Sequence, residues 1–138
     1  MLTLDSNVWV AAFDSRDAFH QRSEAFLRAV SINGVRLHSP AFVLVEVACA
    51  STRRARDPAV GRAVHDRLRR QPALRLHPLN DRCLAAAHEV GVRLLLRGAD
   101  SLYVAVAEIT DAPLVTWDSE LVARAGAVTP EVWMAENC

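Results

Sequence analysis

The sequence predicts an α/β fold built on a central, mainly parallel sheet. Short apolar runs of strand length alternate with longer stretches of helical period. Each strand-like run is followed by a helix-start signal, as parallel βα units require. No internal repeat, low-complexity tract or Pro/Gly/Ser linker divides the chain, so a single domain is expected over residues 1–138. A domain near ~150 residues buries roughly 68–70% of its unfolded surface and needs no disulfide or metal to fold.

The expected strands are Leu2–Leu4, Val35–His38, Leu74–Pro78, Leu114–Thr116 and a short run at Ala127–Thr129. Helix starts are marked by Ser39-Pro40 and Asp57-Pro58, each a cap residue followed by a proline whose fixed φ suits the first turn, and by Asn80 and Asp118 as caps. Gly34 and Gly98 read as helix stops. Phe42, Val45, Ala48 and Cys49 share one helical stripe, and Leu102, Ala105, Val106 and Ile109 share another. Both stripes are expected to face the sheet as core.

Composition removes several function classes. The content is 51% apolar and 23% charged, and no apolar run approaches the ~18–20 residues that cross a bilayer. The start, Met-Leu-Thr-Leu-Asp, lacks an export signal, so the expected location is the cytoplasm, with no membrane partner. Cys49, Cys83 and Cys138 are odd in number and widely spaced, which fits neither a disulfide framework nor a zinc knuckle. The net charge is zero, 16 basic against 16 acidic residues, so no global field draws nucleic acid. All the basic residues are arginine. Without lysine there is no Walker lysine, Schiff base or Ser–Lys dyad. The bias itself is read as genomic, and the arginines Arg53, Arg54, Arg56, Arg62, Arg67, Arg69 and Arg70 as a solvated helical face.

The informative residues are acids at positions where parallel α/β sheets place their sites, beyond the carboxyl ends of strands. Asp5 ends the first strand, in Leu4-Asp5-Ser6-Asn7. Asp118 ends the fourth, in Val115-Thr116-Trp117-Asp118-Ser119. Asp100 opens a helix after Gly98-Ala99, where the helix dipole favours an ionised carboxylate. Glu46 lies within the apolar segment Phe42-Val43-Leu44-Val45-Glu46-Val47-Ala48, where an unpaired charge costs several kcal/mol. A cation would serve as its partner. Carboxylates without thiolate or imidazole suit a hard ion, Mg²⁺ or Mn²⁺, able to generate hydroxide and stabilise a leaving oxygen at a phosphodiester. Each of Asp100 and Asp118 also reads as a plain helix-start residue; Asp5 and Glu46 are less easily explained that way.

Taken in order, Leu4-Asp5-Ser6-Asn7-Val8, the mid-helix Val45-Glu46-Val47, Gly98-Ala99-Asp100-Ser101-Leu102 and Thr116-Trp117-Asp118-Ser119-Glu120-Leu121 resemble the four motifs of PIN-domain ribonucleases. The resemblance covers nearly the whole chain, and its brevity is that of the VapC toxins of toxin–antitoxin pairs. It implies a three-layer α/β/α sandwich and an Mg²⁺-dependent endoribonuclease, with Mn²⁺ as a substitute ion. It maps the surest metal ligands to Asp5 and Asp100, with Glu46 and Asp118 completing the set, and gives supporting roles to Ser6, Asn7 and Thr116. It further implies RNA as substrate, a VapB-like antitoxin as partner and a homodimer. His20 falls where family members often carry a histidine near the site entrance. Trp117 is a departure, a bulky residue between Thr116 and Asp118 that either stacks on RNA or covers the core.

Other readings fare less well. A haloacid-dehalogenase-like phosphatase wants a second aspartate where Asn7 stands and a lysine that is missing. The histidines His20, His38, His65, His77 and His88 share no ligand spacing and are read as surface or strand residues, and no Gly-rich phosphate loop or Gly-x-Ser-x-Gly occurs. The non-enzymatic rival is a silent module of the same fold that acts by binding protein or RNA.

Overall fold

The computed structural model describes residues 1–138 as four strands and eight helices. In chain order these are β1 (Leu2–Leu4), α1 (Ser6–Phe13), α2 (His20–Ile32), β2 (Leu37–Pro40), α3 (Val43–Ala55), α4 (Pro58–Arg69), β3 (Leu74–His77), α5 (Asp81–Leu94), α6 (Gly98–Thr110), β4 (Leu114–Val115), α7 (Ser119–Ala125) and α8 (Pro130–Asn137). The sheet is all parallel, in the order β3-β2-β1-β4. From β1 the chain steps outward through β2 to β3, then crosses back to lay β4 on the free side of β1. Because βαβ crossovers are right-handed, that reversal puts α1–α4 on one face and α5–α6 on the other. The three layers follow. The reversal also opens a crevice between the carboxyl ends of β1 and β4, the point at which doubly wound sheets bind ligands.

A core of 24 buried apolar residues joins the layers, including Leu4, Trp9, Phe26, Val47, Tyr103 and Leu121. The α8 helix closes over α2 by setting Trp133 edge-on to Phe26, with ring centroids 5.4 Å apart. Helices α3 and α4 approach at Gly61, where a methyl would stand 1.8 Å from Thr52 Oγ1 and 2.8 Å from the Ala48 carbonyl. No helix is long and apolar enough to cross a membrane.

Local signals placed several elements correctly. Asp57, Asn80 and Asp118 cap α4, α5 and α7 by accepting from Ala59 N, Cys83 N and Glu120 N. Gly34 follows α2 with φ +61°, a stop that favours glycine.

Other expectations are corrected. Ser39-Pro40 does not start a helix: both residues belong to β2, and Ser39 Oγ donates to the Leu4 carbonyl at 2.6 Å. Pro40 is tolerated at the strand's end because the ladder continues through Ala41 N to the His77 carbonyl at 2.7 Å. The second strand therefore begins two residues later than Val35, while β3 and β4 each end one residue earlier than expected. Ala127–Thr129 contributes only a single parallel bridge, Val128 to Val115. Gly98 is the first residue of α6, not a stop.

The α3 stripe is rotated. Val43, Leu44, Val47 and Ser51 are buried, while Val45 is 55% exposed and Cys49 is exposed. The segment is apolar on every side, so its own periodicity could not fix which side faces inward. In α6 the buried residues are Ser101, Tyr103, Val104, Ala105 and Val106, so the expected stripe holds at Ala105 and Val106, with Leu102 and Ile109 only partly covered.

Candidate active site

The crevice between β1 and β4 is lined by two strand-to-helix junctions, β1–α1 and β4–α7, and by the first turns of α3 and α6. Asp5 occupies the first junction and is 4% exposed. It caps α1: Oδ1 accepts from Ser6 N at 2.7 Å and lies 3.4 Å from Ser6 Oγ. Its other oxygen, Oδ2, accepts from Thr116 Oγ1 at 2.7 Å and from Asn7 Nδ2 at 3.1 Å.

Thr116, fully buried one residue beyond β4, is the hub of this network. While donating to Asp5, its hydroxyl accepts from Asn7 Nδ2 and from Asp118 N, both at 2.9 Å. One donor and two acceptors exhaust what a hydroxyl offers. Asn7 completes the tie by accepting from Trp117 N at 3.1 Å. The two junctions are thus locked together by side chains the sequence reading had placed in supporting roles.

Glu46 lies in the first turn of α3, and its partner is not a neighbour in sequence. Tyr103 of α6 donates its hydroxyl to Glu46 Oε1 at 2.5 Å. Burial, and the negative charge of Glu46 and Asp5, push the Tyr103 hydroxyl well above the ordinary phenol range, so it remains a donor. Asp100, at the third position of α6, and Asp118, the cap of α7, share one cation. Arg97 Nε donates to Asp100 Oδ2 at 3.0 Å, and Arg97 Nη2 reaches Asp118 Oδ2 at 3.4 Å.

The electrostatics follow from this layout. Burial pushes the Asp5 carboxyl up to about 6; hydrogen bonds from Thr116 and Ser6 oppose the rise, and repulsion from Glu46 and Asp100 adds to it. Asp5 therefore senses the charges of Glu46 and Asp100. Neither Asp5 nor Glu46 has an ion-pair partner.

The donors are all carboxylate oxygens, a set that suits a hard divalent ion. The buried Asp5 charge, repelled by two neighbours and countered by no cation, is what such an ion would neutralise. As the side chains stand, however, no three His, Cys, Asp or Glu groups are close enough to hold one ion together. Asp100 and Asp118 are turned toward Arg97.

Sequence reasoning missed Tyr103 and Arg97. The available signals were slight: the sole tyrosine of the chain stands three residues after Asp100, and an arginine three before it. Trp117 covers the core side. Its ring stacks on Phe19 at 4.4 Å, and its Nε1 donates to Ser23 Oγ at 2.8 Å. His20 is held by the Ala11 carbonyl at 2.9 Å and by Glu24 at 3.5 Å. His38 and His77 do come together despite lacking ligand spacing, with Nδ1 of the first 2.8 Å from Nε2 of the second. Of the arginines between 53 and 70, Arg54 pairs with Asp17 and Asp14, and Arg67 lies over the Phe13 ring.

The model of one family, the PIN domain, matches residues 2–127. Solved structures share the fold at low identity. The sarcin–ricin-loop-cleaving toxin VapC20 of Mycobacterium tuberculosis superposes with TM-score 0.77 at 19% identity, over 93% of this chain and 97% of that one. FitAcB of Neisseria gonorrhoeae gives TM-score 0.71 at 18% identity, over 95% and 99%. VapBC2 of Rickettsia felis, bound to a DNA fragment from its promoter, gives 0.70 at 16% identity, over 93% and 96%. No curated protein matches the sequence significantly.

Proposed function

The chain belongs to the PIN-domain family, and from that membership we propose that it is a divalent-metal-dependent endoribonuclease acting as the toxin of a toxin–antitoxin pair. The observation that carries this reading is Asp5, a carboxylate at the sheet's switch point, buried, raised to about 6 and repelled by Glu46 and Asp100 with no cation paired to it. The toxin role and a VapB-like antitoxin as partner are supported by the neighbours named VapC20 and VapBC2, and by the family resemblance of the motifs; a cytoplasmic location is part of the same proposal. A homodimer rests on the resemblance alone.

In this reading Asp5, Glu46 and Asp100 hold Mg²⁺ or Mn²⁺, with Asp118 completing the set. When bound, the ion supplies a hydroxide near neutral pH and stabilises the leaving oxygen of an RNA phosphodiester. The chain's own residues do the positioning. Thr116 and Asn7 fix the Asp5 carboxylate through Oδ2, and Ser6 N through Oδ1, which leaves a lone pair of Oδ1 for an ion. Tyr103 aims Glu46 by occupying one lone pair of Oε1. Holding both acids in one rotamer before the ion arrives lowers the ordering cost of binding.

The test is RNA cleavage by the purified protein with Mg²⁺ or Mn²⁺, with and without EDTA, beside Asp5→Asn. Cleavage is expected only with the ion and only by the parent. Expression of the parent alone should arrest growth, and expression of Asp5→Asn should not. Cleavage that persists in EDTA overturns the metal mechanism. A folded, metal-binding parent that cleaves no RNA favours the silent binding module instead.

A further inference from the structure

We propose that Arg97 is an internal counter-ion of the acid pocket, a latch that holds Asp100 and Asp118 and competes with the divalent cation for them. The inference rests on the metal-dependent reading above and concerns a residue to which the motifs assign no role. One guanidinium bridges carboxylates from two elements, Asp100 of α6 and Asp118 of the β4–α7 junction. Both acids are mostly covered, with side chains 18% and 23% exposed, while that of Arg97 is 71% exposed. A covered carboxylate gains from a cation, and an exposed guanidinium can be released into water, so the contact is built to be broken.

Backbone geometry agrees. Arg97 is the cap residue of α6, extended at φ −69° and ψ 153°, and its side chain makes no capping hydrogen bond. Its guanidinium hydrogen-bonds only to the two acids, with the charge of Glu120 also acting on it. With the latch closed, no three acids can hold one ion. Releasing Asp100 frees its carboxylate to turn toward Asp5. Ion and guanidinium are then alternative occupants of the same negative charge, and linkage makes each weaken the other. The consequence is regulatory: Arg97 raises the divalent concentration at which the site fills.

Calorimetric titration of Mn²⁺ into the parent, Arg97→Gln, Arg97→Lys and Arg93→Gln tests this without reference to catalysis. Arg93 pairs with Glu108 at 2.8 Å, away from the acid pocket, and controls for general loss of positive charge. Arg97→Gln should bind Mn²⁺ about 5- to 30-fold tighter than the parent, roughly 1–2 kcal/mol. Arg97→Lys should fall between them, because lysine keeps the charge but loses the fork, and Arg93→Gln should match the parent. The gain should shrink when Arg97→Gln is combined with Asp118→Asn, as expected for a shared partner. Equal or weaker binding by Arg97→Gln, with measurable binding by the parent, overturns the latch and leaves the metal reading standing. No binding by any of the proteins overturns both.

Discussion

The Tyr103 hydroxyl donates to Glu46 Oε1 at 2.5 Å, bridging α6 and α3 across 57 residues of sequence. This contact explains how an acid persists in the most apolar helix start of the chain. It also predicts the behaviour of Tyr103→Phe. A hydrogen bond to a charged group contributes about 1.5–3 kcal/mol, so the variant should melt several degrees lower. Its Mn²⁺ affinity should fall about tenfold because Glu46 is no longer aimed. Calorimetry and a thermal scan check both; unchanged affinity would mean that Glu46 is not a ligand.

The raised carboxyl of Asp5 makes apo stability depend on pH. The unfolded group titrates near 3.8 and the folded one near 6, so the folded state holds the proton more tightly. Asp5 therefore contributes stability that is fully present below pH 3.8 and lost as pH rises through 6. The difference is on the order of 2–3 kcal/mol. Asp5→Asn should remove this dependence of the apo protein's stability on pH. Parallel melting curves for parent and variant between pH 4 and 7 would show that the burial of Asp5 is relieved in solution.

The His38–His77 pair acts in the opposite sense. Burial lowers both imidazoles from 6.5, and His38 is lowered further by its charged neighbours His77, Arg36, the N-terminus and Arg75. A depressed histidine contributes stability above its unfolded pKa that is lost as pH falls through 6.5 and below. In the parent this opposes Asp5. In Asp5→Asn the histidine slope should stand alone, and adding His38→Gln should flatten it. Melting temperatures of the single and double variants across pH 5–8 are the measurement; an unchanged slope removes the pair as its source.

Gly61→Ala tests the contact between α3 and α4. Alanine favours a helix by about 1 kcal/mol over glycine, yet its methyl would meet Thr52 Oγ1 at 1.8 Å. The clash should dominate, with a net loss of about 2 kcal/mol. Thr52→Ala should restore only part of it, because the Ala48 carbonyl remains 2.8 Å from the new methyl. A chemical denaturation midpoint at or above the parent's would show that the two helices separate freely.

What could be read in the sequence was set by short-range physics. Asp57, Asn80 and Asp118 cap helices through amides two or three residues away, and such contacts leave a local signature. Ser39-Pro40 carries the same signature but sits in a strand, because Ser39 finds the Leu4 carbonyl 35 residues away. The acids Asp5, Glu46, Asp100 and Asp118 could be singled out by where they stand along the chain. What each touches could not. Tyr103 reaches Glu46 from another helix, and Arg97 spans 21 residues to Asp118. Contacts at that separation exist only after the layers have met.

The hydrogen bond from Thr116 to Asp5 links positions 111 residues apart. During synthesis, then, Asp5 is made 111 residues before the hydroxyl that fixes it. A nascent or truncated chain that stops before β4 contains β1, α1 and α3 yet lacks Thr116, Asp118 and the crevice itself. Assembly of the acid pocket accordingly waits for β4, and chains that stop before it carry Asp5, Glu46 and Asp100 without the geometry that joins them.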